Sequence, residues 1–356
     1  MRRRARLILL IVLGLAAAIV LAVLLRRAAP PEPARLLPPA DAFLYLNLKL
    51  PRRAGAFAHM PPVKLDPEYD RFVTATGFQF ERDLDELALA VHLPSKLDAA
   101  SSQRLPETRY SEVFSARFDS SRLTAYLKRI SAGVENYRNV DVYLIALPGR
   151  TLRVAILGPE LVAASNTDGP YVIQGIIDRA KELALPFGGP ELLRQHYKDV
   201  RFASFAWAVA RTAPLSESQG NSLVVLPGGF NLFFPEKTVM VGSLRYFGAL
   251  QLDVEAFTGS EADAARLTDQ LDAFLAVFRG LESSASPSEA TPGMKELLDS
   301  IRISRAQERV NLTATAPLDL LRSLVTEPPS LPTPPPSPPP APKSKPKSAP
   351  KAGRKP

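Results

Sequence analysis

Two periodicities organise the chain. From Ala42 onward Leu44, Leu46, Leu48 and Leu50 alternate with Phe43, Tyr45, Asn47 and Lys49, the period-two pattern of a half-buried strand. The same period returns in Leu87, Leu89, Val91 and Leu93, and again in Phe114, Ala116 and Phe118. It then gives way to helical spacing. Asp119 or Ser120 caps a helix whose Leu123, Tyr126, Leu127 and Ile130 share one face. Strands are expected near 140–146, 151–157 and 161–165, the second carrying Leu152, Val154 and Ile156. Asp168-Gly169-Pro170 opens another helix with Ile173, Ile176, Ile177 and Ala180 inward.

The second half of the body runs in nearly the same order. Phe205, Trp207 and Val209 mark a strand, and 238–246 with 249–257 reads as a hairpin in which Leu250, Leu252 and Val254 alternate with polar residues. Ser260 and Asp263 form an S-x-x-D start for a long helix with a stripe of Leu267, Leu271, Phe274, Leu275 and Phe278. Strands 301–306 and 308–315 follow a Ser/Pro-rich loop, and a short helix begins at Pro317 with Leu320, Leu321 and Leu324. Both halves read strand, insertion, strand, strand, helix, strand, strand, helix. The recurrence of GPEL at Gly158 and Gly189 falls in non-equivalent contexts and carries no weight. The expected fold class is α+β: two similar halves of antiparallel sheet, 41–198 and 199–326, with helices packed on one face.

The ends of the chain are different in kind. Leu7 to Leu25 is an uncharged run of 19 residues. As a helix it spans about 28 Å, close to the hydrocarbon core of a bilayer. Arg2, Arg3, Arg4 and Arg6 precede it, and Arg26 and Arg27 follow. A cleaved signal peptide has a shorter apolar region and a small-residue site after it, so residues 1–27 read as an uncleaved signal anchor engaging the lipid bilayer through 7–25. The arginine distribution orients the N-terminus inside and the body outside, and the strong use of Ala, Arg and Pro suggests a bacterial protein, hence a bacterial cytoplasmic membrane. Residues 28–40 hold five prolines and read as a stiff stalk. Residues 327–356 read as a disordered tail, because 13 prolines and little apolar mass cannot offset the entropy of folding.

Charge follows the same division. The 356-residue chain carries 44 Lys+Arg against 36 Asp+Glu, a net +8. Residues 1–27 and 328–356 hold 12 of the basic residues and no acid, which leaves 32 basic and 36 acidic residues between them. A basic globular nucleic-acid-binding domain is therefore disfavoured, and no nucleic-acid partner is expected. Lys343, Lys345 and Lys347, with Lys351, Arg354 and Lys355, make the tail a candidate tether to an envelope polyanion, to anionic lipid or to a protein partner.

Motifs for chemistry are sparse. No cysteine is present, which removes disulfides, thiol nucleophiles and thiolate metal sites. No phosphate-binding loop, dinucleotide fingerprint or H-E-x-x-H occurs, and neither a cofactor nor a metal is expected. Gly220-Asn221-Ser222-Leu223-Val224 approaches a nucleophile elbow but lacks its last glycine, so no catalytic residue is assigned. His92 lies on the strand face of Ala88 and Ala90, and His59 and His196 stand apart from it. Glu81, Asp83, Asp85 and Glu86 read as a solvated turn, because the glycine and distal glutamate of a calcium loop are missing. Glu107, Arg109 and Glu112 read as surface pairs, and Trp207 as core. The stretch 212–236 reads as a long loop whose Phe230, Phe233 and Phe234 either line a groove, touch the bilayer or plug the core; 51–80 is the matching insertion.

PPADAFLYLNL, ATGFQFERDLDELALAVH, SEVFSARFD and SLRYFGALQLDVEAFT resemble segments of uncharacterised bacterial single-pass membrane-anchored proteins with an α+β ectodomain. The resemblance covers about 38–325 and implies no activity and no site residues. The expected function is a non-enzymatic binding or scaffold protein tethered in the cell envelope. Two alternatives stand beside it: an envelope hydrolase without a local motif, and a lipid or hydrophobic-ligand binder whose site lies between the halves.

Overall fold

The computed structural model describes residues 29–53, 67–92, 109–182, 188–212, 221–226, 230–284, 293–317 and 320. The apolar run at 7–25 and the tail lie outside the described residues. Among the described residues no helix is long and apolar enough to cross a membrane.

One antiparallel sheet of 12 strands forms the body. Its first strands are β1 (Ala42–Asn47), β2 (Leu84–His92) and β3 (Arg109–Ala116). A meander follows: β4 (Gly133–Tyr137), β5 (Val140–Leu147), β6 (Arg150–Ile156) and β7 (Leu161–Ser165). β8 (Ala206–Arg211) opens the second part, and a separate hairpin pairs β9 (Asn221–Leu226) with β10 (Phe230–Pro235). β11 (Val239–Tyr246), β12 (Leu250–Phe257), β13 (Arg302–Ala306) and β14 (Arg309–Ala316) complete the set. The spatial order is β13-β14-β12-β11-β8-β1-β2-β3-β7-β6-β5-β4. Outward from the β8–β1 seam the order is β1-β2-β3-β7-β6 on one side and β8-β11-β12-β14-β13 on the other, with β5-β4 as an additional hairpin.

Helices cover both faces of this sheet, which corrects the expectation of helices on one face. The helices are α1 (Glu32–Leu36), α2 (Lys49–Arg53), α3 (Pro67–Thr76), α4 (Phe80–Asp83), α5 (Ser120–Ile130), α6 (Tyr171–Lys181), α7 (Glu191–His196), α8 (Glu261–Ser284) and α9 (Met294–Ser300). Consecutive strand residues point to opposite faces. Val154 and Val162 meet Leu123 and Leu127 of α5 on one face. Their neighbours Ala155 and Ala163 meet Ile173, Ile176 and Ile177 of α6 on the other. Strands apolar on both faces need cover on both.

The local signals at α5 and α8 hold. Asp119 Oδ1 accepts from the backbone N–H of Ser121 at 2.9 Å and of Arg122 at 3.1 Å. Ser260 Oγ accepts from the Asp263 N–H at 3.1 Å, capping the helix, and donates to Asp263 Oδ2 at 2.8 Å.

Two expectations are corrected. The proline-rich segment before β1 is not a stalk: it carries α1, and Ala34, Leu36 and Leu37 are buried in the main core. Proline is tolerated in the first turn of a helix, where its missing N–H costs nothing. Arg179 of α6 donates to the Leu36 carbonyl at 2.8 Å and fixes the segment to the sheet. The stretch 212–236 is not a long loop either, because β9 and β10 pair in register within it.

Candidate functional site

One row of cross-strand partners crosses all twelve strands: Ile303, Leu312, Val254, Gly242, Ala208, Leu44, Leu89, Glu112, Ala164, Val154, Tyr143 and Val134. Partners in a ladder share a face, so the row reads one face from end to end. At one end Ile303 packs into the core beneath α8, with Ala256, Ala264, Leu267 and Val310. At the other end Ala164, Val154 and Tyr143 pack into the core beneath α5. Among the described residues no such helix lies above the middle of the row.

There lies an open cavity of about 400 Å³. Leu44, Leu46, Leu87, Leu89, Leu244 and Leu252 supply its apolar walls. Ala206, Ala208 and Gly242 supply its floor, where the absence of long side chains leaves the trench. It crosses five strands, which at the usual strand spacing is roughly 19 Å. Leu44 is 45% exposed and Leu252 is 37% exposed, an unusual placement for leucine at the centre of a sheet. A Cβ added at Gly242 would meet nothing within 4 Å, so the open space stands directly over that residue.

The β1 alternation explains how this face became the groove. Both sides of β1 are apolar. The structure buries Phe43 and Tyr45 in the core of the opposite face, at 0% and 5% exposure, and leaves the leucines on the groove side. Tyr45 stacks on Trp207 across the seam, with ring centroids 5.2 Å apart. Burial, with the Glu86 carboxylate beside it, pushes the Tyr45 hydroxyl pKa far above its ordinary value.

Beside the groove, beneath α5, is a second cavity of about 220 Å³. Phe72, Phe78, Phe80, Phe114, Phe118 and Tyr126 line it. The rings form one cluster: Phe72 meets Tyr126 edge-on at 5.3 Å, and Phe78 meets Phe80 edge-on at 4.9 Å. Glu112 also lines this cavity and is the one charged residue among its described lining. It was expected to form surface pairs, and the structure corrects this: Arg109 pairs with Asp168 instead. Burial pushes the Glu112 carboxyl pKa up. Glu107 lies outside the described residues.

The acidic turn is also reassigned. Asp83 is 6% exposed, accepts from the Gln79 N–H at 3.0 Å, and is paired by Arg82 at 2.6 Å and Arg117 at 3.9 Å. The Arg82 hydrogen bond holds its carboxyl below the usual range. Asp85 is paired by Arg52 at 2.9 Å and by Lys49 at 3.6 Å, and Glu86 by Lys49 at 3.5 Å. Asp83, Asp85 and Glu86 staple α2 and α4 to the end of β2, while Glu81 is exposed as expected. Among the described residues no group of three or more His, Asp or Glu could hold a metal ion.

A serine and a histidine do meet on the face opposite the groove. His92 Nε2 lies 3.4 Å from Ser111 Oγ, and Ser111 Oγ lies 3.0 Å from Ser165 Oγ. Ser111 is 0% exposed and already hydrogen-bonded, so a substrate carbonyl has no approach to it. Burial lowers the His92 pKa, with Asp41 opposing. The pair is a satisfied polar contact inside the sheet.

Of the residues singled out in the sequence, Phe234 packs against Ala264 and Leu267 of α8. At 8% exposure it serves that core and offers no binding surface. Phe230 and Phe233 lie on β10, with side chains outside the described residues, and Lys343, Lys345 and Lys347 are outside them entirely. Sequence reasoning missed both cavities. The available signal was the small-residue run Ala206, Ala208 and Ala210 in β8, facing Leu46, Leu44 and Ala42 of β1.

No protein-family model and no curated protein matches the chain. Among solved structures it is similar to crystal form III of TP0453, at 11% identity and a TM-score of 0.48, over 83% of this chain and 98% of that one. Crystal form I of TP0453 aligns at 10% identity and a TM-score of 0.43, over 84% of this chain and 98% of that one. At this distance the similarity carries no statement about function.

Proposed function

We propose that the chain is a membrane-tethered, extracytoplasmic binding protein of the bacterial envelope, and that its ectodomain holds the acyl chain of a lipid in the groove across the β8–β1 seam. The observation that carries the reading is the open, leucine-walled trench of about 400 Å³ at the centre of the sheet. Ligand pockets run from roughly 300 to 1,000 Å³ and are mostly apolar. Covering one exposed leucine side chain stabilises a complex by about 1.5–3 kcal/mol, so several leucines in a line suffice for a measurable affinity. An elongated trench without a polar wall suits a hydrocarbon chain better than a polar metabolite.

The tether is the apolar run from Leu7 to Leu25, and the acidic balance of the body suits neither nucleic acid nor an anionic surface. The basic tail, through Lys343, Lys345 and Lys347, would reach anionic lipid or an envelope polyanion. The repeat of strand order outward from the seam supports two similar halves, with the groove where they join.

The reading is tested by photocrosslinking. Cells making the full-length chain are fed a photoreactive fatty acid, and labelled peptides are mapped. The proposal expects label on β1, β2 and β11, and loss of that label in Gly242→Phe. Label confined to the Leu7–Leu25 peptide overturns it. A topology reporter fused after residue 326 checks the placement, with activity on the outer side expected and activity only in the cytoplasm contradicting it.

A further inference from the structure

We infer that the aromatic pocket beneath α5 binds an organic cation of the alkylammonium class, with Glu112 as its counter-charge. The inference deepens the groove reading by naming the polar end of the ligand. The groove reading supplies the acyl chain; the pocket takes the head group.

Three observations carry it. The rings of Phe72, Phe78, Phe80, Phe114, Phe118 and Tyr126 line a cavity of about 220 Å³. Aromatic faces carry negative potential and attract weakly hydrated cations, which is how aromatic cages hold quaternary ammonium groups. Second, Glu112 is the one charge among the described lining, and its carboxylate makes no hydrogen bond or ion pair with a described residue. A carboxylate among phenylalanines costs stability unless a cation meets it. Third, Glu112 on β3 is the direct cross-strand partner of Leu89, and Phe114 is the partner of Leu87. Both leucines line the groove, so the head pocket adjoins the end of the acyl trench.

The chemistry narrows the cation. One carboxylate and no histidine cannot replace the hydration shell of a divalent metal ion. A guanidinium needs a bidentate array of acceptors to replace its water. An N-alkylated ammonium needs only apolar rings and one counter-charge. The other titratable groups around Glu112 are Tyr110 on β3, Arg150 on β6, whose charge acts on Tyr110, Tyr143 on β5, Tyr126 on α5 with Arg129 over its ring, and Tyr69 on α3, which donates to Glu81. Burial raises the Tyr69 and Tyr110 hydroxyls further from the carboxyl range, and it raises the Glu112 carboxyl, so pH acts on the pocket through Glu112.

Isothermal titration calorimetry of the full-length chain in lipid nanodiscs tests this with two water-soluble probes. One is choline. The other is its neutral isostere, with a tert-butyl group in place of trimethylammonium. Choline is expected to bind tighter by roughly tenfold or more at pH 8. The preference is expected to vanish in Glu112→Gln and to fade in the wild type as the pH falls through the Glu112 ionisation. Gly242→Phe is expected to leave it intact. Equal affinity for the two probes, or a preference that survives Glu112→Gln, overturns the cation site. Neither result touches the groove, which is read by acyl-chain occupancy. The pH series on the wild type decides the matter independently of any variant.

Discussion

Tyr45 and Trp207 stack at 5.2 Å across the strand pair that joins the two sides of the sheet. They are register partners, and the flanking pairs Leu44–Ala208 and Leu46–Ala206 point to the opposite face, where they line the groove. One strand pair therefore serves both layers: its aromatic side closes the core and its small and leucine side leaves a trench. Trp207→Ala is expected to cost about 3–5 kcal/mol, as for other buried aromatic truncations. Urea unfolding checks this; a change under about 1 kcal/mol would show that the seam is not held by this pair.

The segment before β1 is expected to behave as core. Leu36 is 1% exposed, and Leu36→Ala should cost about 2–5 kcal/mol by cavity formation. A solvated proline stalk would tolerate the change. Thermal denaturation of the full-length variant distinguishes the two.

His92 gives a stability that depends on pH. Burial holds its folded pKa below the ordinary value, against an unfolded value of about 6.5. The unfolded chain therefore binds the proton more readily, so this contribution is complete above about pH 6.5 and declines as the pH falls below it. It levels off once the pH is below the folded pKa. His196, also lowered by burial, acts in the same direction. Unfolding free energies measured from pH 8 to pH 5 should fall less steeply in His92→Gln than in the wild type.

Glu112 acts with the opposite sign. Its folded pKa is raised by burial, so the folded state binds the proton more tightly and the ionised carboxylate destabilises the fold at high pH. Glu112→Gln should be more stable than the wild type at pH 8, and the gap should narrow as the pH falls and Glu112 protonates. A variant less stable than the wild type at pH 8 would mean that the carboxylate has a structural partner.

Much of the element order was legible because period-two and period-3.6 patterns survive in single strands and helices. β11, β12, β13 and β14, and the caps at Asp119 and Ser260, fall where the spacing placed them. Which face of a strand is buried was not legible where both faces are apolar. At β1 alternation alone favours neither Phe43 and Tyr45 nor the leucines, and the choice is made by what packs on each side. The α1 segment was hidden by its prolines, because composition does not distinguish a polyproline stalk from a first helical turn. The groove requires β8, β1 and β11 side by side, so Ala206, Ala208 and Gly242, ordinary residues along the chain, acquire meaning only in register. Glu112 was indistinguishable from a surface acid because its apolar surroundings come from α3, α5 and β7, remote in sequence.

The central claim is that the trench over Gly242 holds a lipid acyl chain. A Cβ there meets nothing within 4 Å, so Gly242→Phe places a ring in the open space without disturbing the backbone. Native mass spectrometry of the full-length chain, released from detergent after purification from membranes, reads occupancy directly. The account predicts a bound lipid mass on the wild type and its loss, by roughly tenfold or more, in Gly242→Phe with an unchanged melting temperature. A wild type without bound lipid, or equal lipid on a folded Gly242→Phe, would contradict it.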